Sequence, residues 1–195
     1  MNTILAQSEF CKGFTIIELM ITLALVGVLV TFGVPGFSGL MERNQLTTGI
    51  NQFVSSLSLA RSEAIKRNER VNICTSNDGV QCTASSYEDG WLVYVDSNQN
   101  NSRDNNEELI WVGSSLANNL TLRGSSGFSN QISYMSTGRI GDNTQGEVRL
   151  CKDNDITKAR MLIIIATGRV QLAKLNDDGV PMKNSGDLIN ECDFS

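Results

Sequence analysis

Two patterns of oxygen-bearing side chains and one set of sulfurs carry whatever chemistry this sequence holds. A single carboxylate, Glu18, interrupts an otherwise uncharged run, FTIIELMITLALVGVLVTFGV, from Phe14 to Val34. A carboxylate inside a membrane-length segment costs a few kcal/mol and persists where a cation or water serves it, so Glu18 calls for a positive partner or a place at the membrane surface. The second pattern runs from Asp96 to Glu107 and sets oxygen-bearing residues at its first, third, fifth, seventh, ninth and twelfth positions, the spacing of an EF-hand calcium loop. Asp96, Asn98, Asn100, Asp104 and Glu107 are the expected ligands, and calcium held there would order a loop. Against it, Asn101 stands at the position of the usual glycine, Arg103 adds an opposing charge, and the flanks read as strands. The simpler reading is a polar connection whose Asn and Asp residues make turns.

The sulfurs point to an oxidising compartment. Of five cysteines, Cys11 precedes the apolar run, while Cys74, Cys82, Cys151 and Cys192 follow it, and none lies in a CxxC pair. Four later cysteines allow three disulfide pairings. Cys74 and Cys82 flank a turn at Asn77-Asp78-Gly79, and Cys192 can tie the chain's last stretch to Cys151, so the bridges Cys74–Cys82 and Cys151–Cys192 are expected. The chain has no histidine, which excludes His-based triads and imidazole zinc sites. With no nucleophile and base set in view, the sequence argues against an enzyme. A net charge of −5 supplies no general field for nucleic acid.

These groups must be positioned by a small number of elements. The 21-residue run from Phe14 to Val34 spans about 31 Å as a helix, the thickness of a bilayer core. It follows a short polar leader, 1–13, without the small-residue cleavage site that a secretory signal places after its apolar region. Pro35, with Gly33, Gly36 and Gly39 around it, predicts a kink or local melting. Beyond it, Leu46, Ile50, Phe53, Val54, Leu57, Ala60, Ala64 and Ile65 recur at three- and four-residue spacing, predicting an amphipathic helix to about Asn68. From Val71 the pattern becomes β-rich, with strands expected at 71–75, 91–96, 109–112, 120–123, 132–135, 147–151, 161–166 and 169–175 between polar turns. The expected fold is α+β: a long N-terminal helix packed on an antiparallel β-sheet head. Its divisions are a leader at 1–13, a membrane helix at 14–37, an amphipathic helix at 38–70 and a head at 71–195.

Lys12-Gly13-Phe14-Thr15-Ile16-Ile17-Glu18-Leu19 resembles the class III prepilin signal of type IV pilins and type II secretion pseudopilins. The resemblance implies that a prepilin peptidase cuts after Gly13 and that Phe14 becomes the N-methylated first residue. Glu18 becomes the fifth, whose carboxylate pairs with a neighbouring subunit's amine during assembly, and Pro35 falls where pilins carry a proline. Asn72-Ile73-Cys74, Gly90-Trp91-Leu92-Val93-Tyr94-Val95-Asp96 and Ala166-Thr167-Gly168-Arg169-Val170 resemble the GspH-like group that includes the FimT and FimU minor pilins. The implied protein is a minor pilin in a tip or initiation complex of a type IV pilus. It would be an inner-membrane precursor with a periplasmic head, then a pilus subunit on the cell surface, partnered by major and minor pilins. Two alternatives follow from the same resemblance. One is a type II secretion pseudopilin. The other is a DNA-uptake subunit for natural transformation, with Arg169, Lys174, Lys158 and Arg160 as phosphate contacts; the sequence Gly168-Arg169-Val170-Gln171 lacks the second arginine of the basic motif that this reading borrows.

Overall fold

The structure, a computed structural model, describes residues 13–141 and 145–194, with side chains described for all of these except 32–38. Contacts divide the chain into two compact units, 1–42 and 43–195. Helix α1 runs over Ile16–Arg67 without interruption in its helical backbone. The local melting expected around Pro35 therefore does not occur. Proline removes one donor, and in a helix of this length the ladders on either side of that gap propagate cooperatively.

In the first unit the described apolar side chains from Phe14 to Val30 are all exposed. Among the described residues no helix is long and apolar enough to cross a membrane; the span over 14–37 is an expectation of the sequence.

In the second unit the helix buries Leu46, Ile50, Phe53, Leu57, Ala60 and Ala64, at alternating steps of four and three. Ile65, expected on that stripe, is 52% exposed and lies over the backbone of Gly138 instead. The helix stops at Asn68, which takes a φ of 57°, while Glu69 N–H donates to Ala64 O across the last turn. Asparagine tolerates this left-handed position better than most residues.

Two four-stranded antiparallel sheets follow. The first has the order β3-β2-β1-β5, built from β1 (Val71–Thr75), β2 (Trp91–Val95), β3 (Leu109–Gly113) and β5 (Gln131–Tyr134). The second has the order β4-β6-β7-β8, from β4 (Leu120–Gly124), β6 (Gly146–Lys152), β7 (Asp155–Ile164) and β8 (Val170–Leu172). β7 begins well before the expected 161, because Asp155 to Arg160 are too polar to announce a strand. A two-residue turn, Asp153 and Asn154 at φ 53° and 57°, joins it to β6 as a hairpin. β8 is shorter than expected.

The helix stripe packs on one face of both sheets, against Ile73, Trp91, Val93, Leu122, Ile132, Val148, Leu150, Leu162 and Ile164. Phe53 meets the rings of Tyr87 and Trp91 edge-on at 5.0 and 5.3 Å. The Trp91 indole N–H donates to Ser56 Oγ at 2.9 Å, so the largest buried side chain has its polar atom satisfied. The opposite face of the second sheet is covered as well: Ala159, Met161 and Ile163 lie under Ala173, Val180 and Ile189. Coverage on both faces explains why Met161 to Ile164 is apolar at every position.

Candidate functional site

At the N-terminus, Gly13, Phe14 and Thr15 precede the helix. Thr15 caps it, with Oγ1 accepting Glu18 N–H at 3.2 Å and the backbone carbonyl accepting Leu19 N–H at 3.1 Å. The Gly13–Phe14 peptide thus lies outside the hydrogen-bonded helix. A Cβ at Gly13 would meet nothing within 4 Å. The Glu18 carboxylate is exposed and makes no hydrogen bond or ion pair among the described residues. Lys12 lies outside the described residues, as does the Pro35 side chain.

The structure joins Cys74 to Cys82 and Cys151 to Cys192. The first bridge closes a loop in which Asp78 accepts N–H groups from Val80 at 2.8 Å and Gln81 at 2.9 Å. Those donors, Gln81 foremost, hold its carboxyl below the ordinary range. The second bridge fastens the end of the chain, where sequence reasoning missed a further clamp. The nearly buried Arg149 donates to the carbonyls of Glu191 and Asp193 at 3.1 and 3.2 Å, pairs with Glu147 at 3.2 Å, and lies 3.9 Å from the Phe194 ring centre. An arginine inside a β-run gives no local signal of a partner more than forty residues away.

The loop expected to hold calcium is tied together by hydrogen bonds to its carboxylates. Asp96, fully buried, accepts from Asn72 Nδ2 at 2.7 Å and from the N–H groups of Asn100 and Asn101 at 3.1 and 3.3 Å. Glu107 accepts from the N–H groups of Ser97 and Asp104 at 2.9 and 3.1 Å. Asp104 takes the amide nitrogens of Asn98 and Asn100 at 2.7 and 2.9 Å. These bonds orient the carboxylates and leave acceptor capacity on their oxygens. Among the described residues no group of three or more Asp, Glu, Cys or His side chains is gathered to hold a metal ion; the expected calcium set, Asp96, Asn98, Asn100, Asp104 and Glu107, has two asparagines and stays an expectation of the sequence. Asn101, at φ 62°, takes the left-handed position usual for glycine.

The four basic candidates fall into two places. The pairing of Leu162 with Leu172, extended two residues, sets Arg160 beside Lys174, with Lys158 two residues further along β7. Arg169 sits exposed in the turn at the other end of β8, five positions or about 16 Å along the strand from Lys174. Arg160 also donates to Ala159 O at 2.7 Å. The arrangement offers phosphate contacts at two points, not one continuous basic cluster.

A helix whose described apolar side chains from Phe14 to Val30 are exposed, a carboxylate near its start without a partner among the described residues, and a disulfide-braced β head are features of the pilin class. Comparison with known proteins agrees. The prokaryotic N-terminal methylation motif matches residues 10–34, and the family described as type II transport protein GspH matches 49–168. The chain belongs to the GspH family, whose members are structural pilins and pseudopilins and not enzymes. Among solved structures, the type IV minor pilin FimU of Pseudomonas aeruginosa shares the fold at 18% identity and a TM-score of 0.56, over 78% of this chain and 98% of that one. A fimbrial protein of Pseudomonas aeruginosa is 33% identical over 34% of this chain and 44% of its own length. The pilin-like protein PilA1 of Thermus thermophilus is 31% identical over 50% and 56%. The chain thus spans about half the length of these curated relatives. The methylation motif implies processing by a prepilin peptidase.

Proposed function

We propose that the chain is a minor type IV pilin that acts in a tip or initiation complex and promotes pilus assembly. Cleavage follows Gly13, Phe14 is N-methylated, and Glu18 engages the amine of a neighbouring subunit. The carrying observation is the contrast in burial: the head closes its own core, yet the described apolar side chains of 14–30 are exposed. Such a surface is stable only when covered. Before assembly the inner membrane covers it, with the head on the periplasmic side; afterwards the helices of other major and minor pilins cover it in a filament on the cell surface. Likeness to FimU, a type IV minor pilin, supports a pilus over a type II secretion system, where the same chain would serve as a pseudopilin.

The second reading, DNA capture in natural transformation, is favoured by the placement of Lys158, Arg160 and Lys174 side by side at one end of β7 and β8, with Arg169 exposed at the other. Contacts of this kind give weak, salt-sensitive binding. Paired counts of surface pili and transformation frequency in a strain lacking the protein, with a complemented control, separate the two. Loss of pili restored by complementation supports assembly. Normal pili with lost transformation overturns it in favour of DNA capture.

A further inference from the structure

Residues 173–194 cross the outer face of the second sheet as a strap, with Val180 and Ile189 packed among Met161 and Ile163. Apolar burial is non-directional, so it holds this strap without fixing where any one residue falls. Register has to come from directed bonds, and Arg149 supplies them. Its guanidinium donates to the carbonyls of Glu191 and Asp193, at 3.1 and 3.2 Å, which lie on either side of Cys192. Arg149 and Cys151 are two residues apart on β6, so their side chains leave the same face of the sheet about 7 Å from each other. A guanidinium that grips the chain on both sides of Cys192 sets that cysteine over Cys151. A second arginine adds to the grip. Arg123 of β4 stands directly opposite Arg149 in the ladder, a like-charge pair that is unfavourable without acceptors. Glu88 pairs with Arg123, Glu147 pairs with Arg149, and the Asp193 carboxylate lies 3.2 Å from Arg123 Nε. Phe194 closes the group, with its ring centre 3.9 Å from Arg149 Cζ.

We propose that Arg149, with Arg123 and Phe194, forms a clasp that docks residues 191–194 before any disulfide exists, and so directs Cys192 to Cys151 and away from Cys74 and Cys82. None of the clasp's contacts involves sulfur, so all of them are open to the dithiol chain. The bridge then closes by exchange with an oxidising small-molecule disulfide. One protein thiolate attacks that disulfide and releases a thiol, and the second protein thiolate displaces the other. Two protons and two electrons pass from the cysteine pair to the oxidant, which leaves as two thiols. Arg149 is a positioning residue in this step: it touches neither sulfur and acts through the backbone of 191–193. The clasp belongs to the head and is independent of the apolar helix and its part in the proposed function.

The test is the thiol–disulfide equilibrium of the full chain in detergent, taken across a series of glutathione buffers, with each cysteine pair read by alkylation and peptide mass spectrometry. Cys74–Cys82 is the control within the same molecule. Arg149→Lys keeps the charge and loses the planar fork. It should lower the effective concentration of Cys192 at Cys151 roughly tenfold, with Cys74–Cys82 unmoved. Phe194→Ala, at the partly exposed tip of the strap, should lower it roughly threefold. An Arg149→Lys chain whose Cys151–Cys192 equilibrium matches that of the unsubstituted chain overturns the proposal. If that substitution shifts both pairs alike, the fold has been lost and Phe194→Ala decides: a shift confined to Cys151–Cys192 supports the clasp, and any other result overturns it.

Discussion

The helix before Glu42 and the head after it are made of similar residue types and behave in opposite ways. In the head, Leu46, Ile50, Phe53, Leu57, Ala60 and Ala64, at alternating steps of four and three, find two sheets to cover them and are buried. In the N-terminal segment the apolar residues occupy every face of the helix, so no single sheet could cover them. The difference shows that hydrophobic content does not decide burial; its angular distribution does. A one-sided stripe builds a core within the chain, while an all-round apolar helix requires a lipid or protein surround.

Breaking the first region should have the largest effect. Substituting Gly13 with a larger residue is expected to leave the chain uncleaved, read as precursor mass by intact-protein mass spectrometry; normal processing would remove the assignment of the scissile bond. In the head, Phe53→Ala deletes a ring packed against Tyr87 and Trp91 and should destabilise by about 3–5 kcal/mol in chemical denaturation. That loss should leave the apolar helix unaffected, which sharpens the contrast.

The two disulfides extend the comparison within the head. The Cys151–Cys192 bridge closes 41 residues and Cys74–Cys82 closes 8. On the chain-entropy account, replacing both cysteines of the longer bridge by alanine should cost about 4 kcal/mol, against about 2.5 for the shorter. Equal losses would show that local geometry, and not loop length, governs both. Titrating the oxidised protein with millimolar calcium tests the ligand set of 96–107: binding heat with a raised melting temperature supports it, and no heat with unchanged melting sinks it.

The smallest effect concerns pH. Hydrogen bonds from Arg67 hold the carboxyls of Glu63 and Glu108 below the ordinary value of 4.5. Groups with depressed folded-state values contribute stability above the unfolded value and lose it as pH falls through the folded one. Stability should therefore decline below pH about 4.5, and Glu108→Gln should flatten that decline slightly. Glu108 is exposed and Glu63 only partly covered, and solvent screens both pairs, so the change is near the detection limit of a melting curve.

Most of this architecture was legible because its signals are periodic or punctuated. The stripe from Leu46 to Ala64 and the Asn68 stop, and strands such as Trp91 to Val95, are written in local patterns. Three features were not. Ile65 fits the stripe's spacing, but its fate depended on where Gly138 falls. Asp155 to Arg160 form a strand because β6 supplies partners, which no local propensity records. The spacing from Asp96 to Glu107 marks a tight acidic loop with a left-handed residue at Asn101, but spacing alone could not reveal that Asn72, from a neighbouring strand, also donates to Asp96. The processing motif lies at the opposite extreme: it is carried by sequence, and the structure adds that Thr15 caps the helix beyond the bond proposed to be cut.

The most direct test of the central claim is the content of this protein in sheared, purified filaments from cells carrying Glu18→Ala, normalised to processed protein in the membrane. The account predicts normal cleavage after Gly13 with strongly reduced filament content, because Glu18, without a partner among the described residues, is the carboxylate proposed to engage the next subunit. Filament content equal to that of the unsubstituted protein would contradict it.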